Sequence, residues 1–348
     1  MADYRETMKL FSQIKKDAYE KCRPIQATFE LTPRCGLDCK MCYVHLHPEE
    51  ISKCGRGREL TAAEWIEMGR QAQVAGVFSL CITGGDPVLH PEFETIWKEL
   101  SRMGFRITLQ TNAYSITERL EKLFYEYPPQ KAKITLYGSN DKVYKAVCRV
   151  ENGFTKVEEG IQKLQGLEIP IQLVTTFVKQ NIEDRDNIFK YVVENHYKWY
   201  YSTSCYPSLR GANTNARECA LSIYDLGCSE EASREWNENP VMKMNKKPCE
   251  YCSIYRTGYN ITWDGYMRFC LFLNEPKIDI LAHTFEENWR MLQEYSKGIR
   301  WPEKCYTCQV RDKCRKCIAS ISCYNGGKQS IIEDYCQNVI HLLGIKTH

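Results

Sequence analysis

Cys35, Cys39 and Cys42 lie within eight residues, in Cys-Gly-Leu-Asp-Cys-Lys-Met-Cys, and their spacing makes them the side chains best placed to do chemistry. Thiolates are soft ligands that select iron–sulfur clusters or zinc over hard cations. Three of them are one too few for a closed tetrahedral site and one too many for a single disulfide. An iron–sulfur cube held by three thiolates keeps one iron open, and an open coordination position lets a metal centre take up a substrate as well as brace a loop. The plainer alternative is a zinc or other structural site whose fourth ligand is distant in sequence.

The wider composition favours metal over disulfides. The chain has 19 cysteines in 348 residues, and its first stretch, MADYRETMKLFSQIKKDAYEK, is charged throughout with no apolar signal segment. No run of about 18 apolar residues suggests a membrane span. The expected compartment is therefore the cytoplasm, where thiols stay reduced. With 47 Lys and Arg against 44 Asp and Glu, no one-signed field points to nucleic acid or a membrane surface, and neither is expected as a partner.

The elements that must position the cysteines can be read around them. Six β-rich runs, at residues 25–31, 78–83, 105–111, 133–137, 169–178 and 198–206, alternate with helical stretches at 61–74, 91–102 and near 115–125, 153–165 and 183–195. Thr61 and Glu64 form a capping box, and Pro91 suits a first helical position. Such alternation predicts an α/β fold with a parallel sheet, and the apolar runs predict strands buried on both faces. The cysteine loop follows the first run and Gly84-Gly85-Asp86-Pro87 ends the second, so both fall at the C-terminal mouth of the sheet. There the glycines permit close backbone approach and Pro87 fixes the exit, although an ordinary βα turn would look the same. Residues 207–248 lack periodicity and read as a bridging segment. Residues 259–272 alternate about Asp264-Gly265, a hairpin signal, and cysteine density rises after Trp301.

On Cys35, Cys39 and Cys42, which match the pattern Cx3CxxC, the sequence resembles the radical SAM superfamily. The resemblance implies a partial (β/α)6 barrel of the TIM type. It also implies one [4Fe-4S] cluster whose open iron is chelated by the amino and carboxylate groups of S-adenosylmethionine, which the reduced cluster cleaves to a hydrogen-abstracting 5′-deoxyadenosyl radical. The residue before the third cysteine, often aromatic in the family, is Met41 here, and Tyr43 is implied as the ring near adenine. Gly84, Gly85, Asp86 and Pro87 resemble the GGEP motif that holds the methionine amine, with aspartate in place of glutamate. Asn112, in Gln-Thr-Asn, resembles a stretch near the ribose, and Arg149 resembles an arginine that pairs with the methionine carboxylate, a role suited to its bidentate fork. Solvated loops account equally well for the last two.

Eight further thiols lie in Cys249-x2-Cys252-x12-Gly265-x4-Cys270, Cys305-x2-Cys308-x5-Cys314-x2-Cys317 and Cys336. Their spacing resembles the SPASM domain, which implies two auxiliary [4Fe-4S] clusters: one on Cys249, Cys252, Cys270 and Cys317, the other on Cys305, Cys308, Cys314 and Cys336. Two residues separate Cys314 from Cys317 where the family commonly has three, so Cys323 is a rival to Cys317. A pair of zinc ribbons is the alternative. In either case the interleaved ligands predict a segment that folds around its metals. The resulting organisation is an N-terminal helix over 1–22, the radical SAM barrel over 23–206, the bridging segment over 207–248 and the SPASM domain over 249–340.

Cys205 falls near the end of the sixth run, at the expected mouth. A thiol there would donate a hydrogen atom to a substrate radical, as cysteines do in peptide epimerases of the superfamily, although simple packing also explains a cysteine. The resemblance implies an oxidoreductase that forms a thioether or carbon–carbon crosslink, or an epimer, in a ribosomally made peptide. A cofactor-biosynthesis enzyme acting on a small molecule is an alternative. A sulfatase maturase is disfavoured, because Leu271 stands where maturases carry an Asp base. The non-catalytic alternative is an iron–sulfur electron carrier. Implied partners are a peptide or protein substrate and a reductant such as flavodoxin or ferredoxin. The pre-barrel segment is too short for a winged-helix-sized domain, so leader recognition is expected from a separate protein or not at all.

Overall fold

The computed structural model describes residues 4–221, 247–309, 311, 317, 319 and 336; Cys314 and Cys323 lie outside them. After α1 (Tyr4–Lys21) come β1 (Gln26–Glu30), the short α2 (Pro48–Ile51), α3 (Ala62–Val74), β2 (Ser79–Thr83), α4 (Phe93–Arg102), β3 (Arg106–Thr111), α5 (Glu118–Glu126) and β4 (Lys131–Thr135). Then follow α6 (Asp141–Cys148), α7 (Gly153–Gly166), β5 (Ile171–Thr176), α8 (Arg185–Glu194), β6 (Lys198–Ser202) and α9 (Ala216–Cys219). Beyond Lys247 lie β7 (Gly258–Thr262), β8 (Tyr266–Arg268), β9 (Ile278–Asp279), α10 (Phe285–Gly298) and α11 (Glu303–Thr307).

All nine strands form one sheet in the order β6-β5-β4-β3-β2-β1-β7-β8-β9. Strands β1 to β6 are parallel and sequential, which makes this an α/β fold with a parallel-dominated sheet. β7 adds to β1 in parallel, pairing Gln26 with Gly258, and the β7–β8 hairpin turns at Gly265, whose φ is 79°. The segment after residue 247 therefore extends the sheet of the first half.

The helices that connect the strands cover one face, whereas α1 reaches the other, with Phe11 and Lys15 on the cavity wall. Ile107, Leu109, Ala132 and Ile134 are buried, whereas their neighbours Arg106, Gln110, Lys131 and Lys133 line an internal cavity. This corrects the expectation of strands buried on both faces: the period-2 alternation is real, and its polar face looks into a lumen. Under the helices, the rings of Phe93, Trp97 and Phe124 meet at centroid separations of 5.2 to 6.2 Å in tilted and edge-on contacts, each adding about 0.5–1.5 kcal/mol beyond burial. The capping box at α3 forms as expected, with the Thr61 side chain accepting from the Glu64 amide and the Glu64 carboxylate accepting from the Thr61 amide at 2.8 Å. Pro91 differs, because α4 begins only at Phe93; Pro87 instead opens a 3-10 turn, Pro87–Leu89. Among the described residues no helix is long and apolar enough to cross a membrane.

Candidate active site

A cavity of about 1320 Å³ fills the concave face of the sheet, and Cys35, Cys39 and Cys42 line its wall on the loop that leaves β1. This loop is tied to the end of α6: the amides of Asp38 and Lys40 donate to the carbonyls of Cys148 and Val147, both at 3.0 Å, and so satisfy two acceptors that a helix end leaves open. Its sulfurs also receive donors. The Leu37 amide and the Asn112 side chain donate to Cys35 Sγ at 3.4 and 3.2 Å, and the His45 amide donates to Cys42 Sγ at 3.3 Å. Burial is the first cause that pushes the Cys35 thiol well up and the Cys42 thiol up to about 12, because a buried thiolate lacks water. Cys39 is raised first by its contact with Cys148, whose sulfur lies 3.5 Å away and off the cavity wall.

Buried thiols supplied with N–H donors fit a cationic metal group, which would replace the missing solvation of three thiolates. Among the described residues no three His, Cys, Asp or Glu side chains converge around the point that a single ion would occupy.

The loop after β2 packs directly on the start of the cysteine loop. The amides of Gly85 and Asp86 donate to the carbonyls of Thr32 at 2.8 Å and Arg34 at 2.7 Å. A Cβ on Gly84 would stand 2.5 Å from the Thr32 oxygen, and one on Gly85 2.5 Å from that of Arg34. Glycine is therefore required by contact between two backbones. Gly85→Ala is expected to cost about 1–3 kcal/mol through overpacking, read as a lower unfolding midpoint, and to displace the cysteine loop, read as reduced iron content after reconstitution.

Gly84 and Gly85 line the cavity, whereas Asp86 is fully buried behind the wall and Pro87 is buried beside it. Asp86 Oδ1 accepts from the Thr111 hydroxyl at 2.6 Å, Oδ2 has no partner, and burial pushes the carboxyl up to about 6. Asn112 lines the cavity and points its amide at Cys35. Arg149 is not brought there. It caps α6 with a left-handed backbone, φ 56°, and its half-exposed guanidinium pairs with Asp38 at 3.2 Å. Tyr43 lines the cavity but is held from behind, by Glu30 at 3.3 Å and edge-on against Phe272 at 4.8 Å. Cys205 is buried in the cavity wall just beyond β6, and burial pushes its thiol up to about 12, so it remains protonated.

Several residues of the site carried no signal in the sequence. Arg210, in the unpatterned bridging segment, forms a buried ion pair with Glu30 at 2.8 Å and donates to the Leu271 carbonyl at 2.9 Å. The same segment clamps the cysteine loop, with the Leu209 amide donating to Tyr43 O at 2.8 Å and the Thr214 hydroxyl to Cys42 O at 2.7 Å. Tyr206 stacks on Phe272 at 3.8 Å across the cavity wall. Tyr137 also lines the cavity, close enough to Cys35, Cys39 and Cys42 for their charges to raise its hydroxyl, after burial.

In the second cysteine group Cys249 is buried, and after burial the neighbouring Cys252, Cys270 and Cys317 raise its thiol to about 12. Cys252, Cys270 and Cys317 therefore lie within electrostatic reach of Cys249. Cys305 is buried, and Cys308 and Cys336 are half-buried.

Comparison with known proteins agrees with this geometry. The profile of the Radical SAM superfamily matches residues 29–192, from within β1 through the cysteine loop into α8. Residues 29–192 are a radical SAM domain. A chain with this radical SAM domain is an S-adenosylmethionine-dependent enzyme, which removes the carrier alternative. The probable GTP 3′,8-cyclase of Sulfurisphaera tokodaii is 26% identical over 292 residues, 76% of this chain and 88% of its own. The AdoMet-dependent heme synthase of Methanosarcina barkeri is 23% identical over 325 residues, 85% of this chain and 91% of its own. Among solved structures, Streptococcus suis SuiB bound to precursor peptide SuiA covers 92% of this chain and 79% of its own, with a TM-score of 0.65 at 16% identity. Native anSMEcpe with bound AdoMet covers 92% of this chain and 96% of its own, with the same score and identity. The likeness to these two structures is one of fold.

Proposed function

We propose that the chain cleaves S-adenosylmethionine reductively at a [4Fe-4S] cluster held by Cys35, Cys39 and Cys42, and uses the resulting radical to modify a peptide or protein side chain. The observation that carries this reading is the set of three thiols on the cavity wall at the C-terminal end of a parallel sheet. When bound, the cluster supplies the electron that splits the sulfonium and frees a hydrogen-abstracting radical. The chain's own residues do the rest. Asn112 and the amides of Leu37 and His45 donate to the sulfurs, Gly84 and Gly85 let the β2 loop close against the cysteine loop, and Asp86 offers one unpartnered oxygen behind it. Tyr43 and Phe272 form the apolar wall. Cys205, a neutral thiol facing the same space, holds the hydrogen atom that returns to a substrate radical. Cys249, Cys252, Cys270 and Cys317 hold one auxiliary cluster, and Cys305, Cys308, Cys314 and Cys336 a second.

The structural likeness to SuiB bound to precursor peptide SuiA supports a peptide substrate. A small-molecule substrate is the second reading, favoured by the names of the two sequence relatives, a cyclase and a heme synthase. The test is anaerobic reconstitution of the full chain with iron and sulfide, followed by strong reductant and S-adenosylmethionine. Formation of 5′-deoxyadenosine is expected, and its absence from iron-replete protein would refute the proposal. With a modified substrate in hand, Cys205→Ala is expected to leave that cleavage intact and to block product; unchanged product removes the donor role.

A further inference from the structure

The cavity wall carries charged side chains on its strands, where barrel interiors are usually packed with branched apolar chains. Its wall carries four cationic side chains, Lys15, Arg106, Lys131 and Lys133, and among the described residues it carries no carboxylate. Two buried acids stand behind the wall, Glu30 paired with Arg210 at 2.8 Å and Asp86 accepting from Thr111 at 2.6 Å through one of its oxygens. None of the four cations forms an ion pair among the described residues. Arg106 lies over the Phe11 ring at 4.7 Å, and Lys131 Nζ donates to the neutral Gln172 at 3.1 Å. Lys133 has neither a hydrogen bond nor an ion pair there, although it is half-buried.

The placement of these residues is informative. Lys133 sits in mid-strand on β4, in register with Gln110 of β3 and Gln172 of β5. It is two positions from Thr135 at the C-terminal end of the strand, roughly 7 Å, and therefore lies below the thiols on the way to the floor. Lys131 is two positions deeper on the same face. Burial holds the Lys131 ammonium below its ordinary range, with the charges of Lys133 and Lys198 acting in the same sense. Cations that crowd one another in a partly desolvated chamber, with no carboxylate among them, are destabilising unless an anion joins them.

We infer that the deep end of the cavity receives an anionic group of the substrate, a carboxylate or a phosphate, with Lys133 as its principal anchor and Lys131 beside it. This rests on the reading of the cavity as the chamber in which substrate meets S-adenosylmethionine. It adds a chemical class to that reading: the substrate presents an oxyanion pointing inward, away from the cysteine loop. Lys133 is then a specificity-determining residue, and a neutral substrate isostere is rejected because it leaves the ammonium unpaired.

The test is equilibrium binding by calorimetry, without reductant, to the iron-loaded full chain saturated with S-adenosylmethionine, so that the cosubstrate's own carboxylate site is already filled. The probes are glutarate, inorganic pyrophosphate and the neutral glutaramide. One or both anions are expected to bind with a single stoichiometric site and glutaramide is not. Lys133→Gln is expected to weaken the anion by about tenfold or more, as loss of one charge-assisted hydrogen bond predicts, while Lys133→Arg restores it. Lys133→Met carries the same test if the glutamine variant fails to load iron. Tighter glutarate assigns a carboxylate as the natural group, and tighter pyrophosphate assigns a phosphate. The inference is overturned if neither anion binds, if glutaramide binds as well as glutarate, or if Lys133→Gln binds like the wild type. Because no turnover is measured, these results are independent of whether 5′-deoxyadenosine forms.

Discussion

Simultaneous replacement of Cys35, Cys39 and Cys42 by alanine is expected to abolish 5′-deoxyadenosine formation while the protein stays folded and brown. All three thiols lie on the cavity wall, on a loop whose backbone is held by groups other than the sulfurs: the Cys148 and Val147 carbonyls, the Leu209 amide and the Thr214 hydroxyl. Removing the sulfurs thus deletes the proposed ligands without releasing the loop. The reconstituted variant should carry roughly four irons fewer than the wild type, the content of one cube, and keep those bound by the thiols from Cys249 onward. The converse variant, with Cys249, Cys252 and Cys270 as alanine, should lose iron but keep the three thiols proposed to hold the S-adenosylmethionine-binding cluster. Metal analysis, the visible absorption of thiolate-bound iron and a deoxyadenosine assay read the two variants side by side. A triple variant that still cleaves S-adenosylmethionine would remove the assigned cluster site. A triple variant that loses all its iron would show that the second cysteine group holds none, and zinc in the wild-type protein would then be the finding.

The difference between what the sequence shows and what it hides follows from range and geometry. Cys35, Cys39 and Cys42 declare themselves because the three thiols fall on one short loop, and the alternation of strands with helices places that loop at the end of β1. The expected strand at residues 133–137 sits two positions late against the observed Lys131–Thr135, because Lys131 is a poor strand signal by type. Their alternation with Ala132 and Ile134 was the better guide, and it marks a wall between helices and lumen. Asn112 is 77 residues from the sulfur it donates to, and no local pattern links the two. Arg149 fits a carboxylate by chemistry, yet the left-handed turn that ends α6 aims it at Asp38 on the protein surface. Side-chain type alone says what a residue can bind, and the backbone decides whether it is there to do so. The bridging segment illustrates the same point, since its Leu209, Arg210 and Thr214 take their roles from the cysteine loop, β1 and the Leu271 carbonyl.

Arg210→Met should be among the most damaging single substitutions outside the cysteines. Arg210 and Glu30 pair at 2.8 Å with their side chains 1% and 0% exposed, across 180 residues of sequence. A buried pair of this kind contributes little net stability as a pair, because desolvating both charges offsets their attraction, but removing one partner strands the other and costs about 3–5 kcal/mol. In the variant, Glu30 keeps the Tyr43 hydroxyl at 3.3 Å and the weaker influence of the Arg268 charge, and its Oε1 already has no partner. The Leu271 carbonyl also loses its donor, so the stacked Tyr206 and Phe272 beside it lose their support. Burial already holds the Glu30 carboxyl above its ordinary range, with Arg210 opposing that shift, so the variant's carboxyl rises further. A raised carboxyl favours the folded state at low pH, and that advantage is lost as pH climbs past the ordinary value of 4.5. The stability gap between wild type and Arg210→Met should therefore be widest near pH 8 and narrow as the pH falls toward 5. Denaturant titration at several pH values measures it, with Glu30→Gln added to Arg210→Met as the control. Removing both charges should recover most of the loss. A gap independent of pH, or a double variant as unstable as the single one, would mean that Arg210 acts through the Leu271 carbonyl and its packing, and that the buried charge on Glu30 is not what it holds in check.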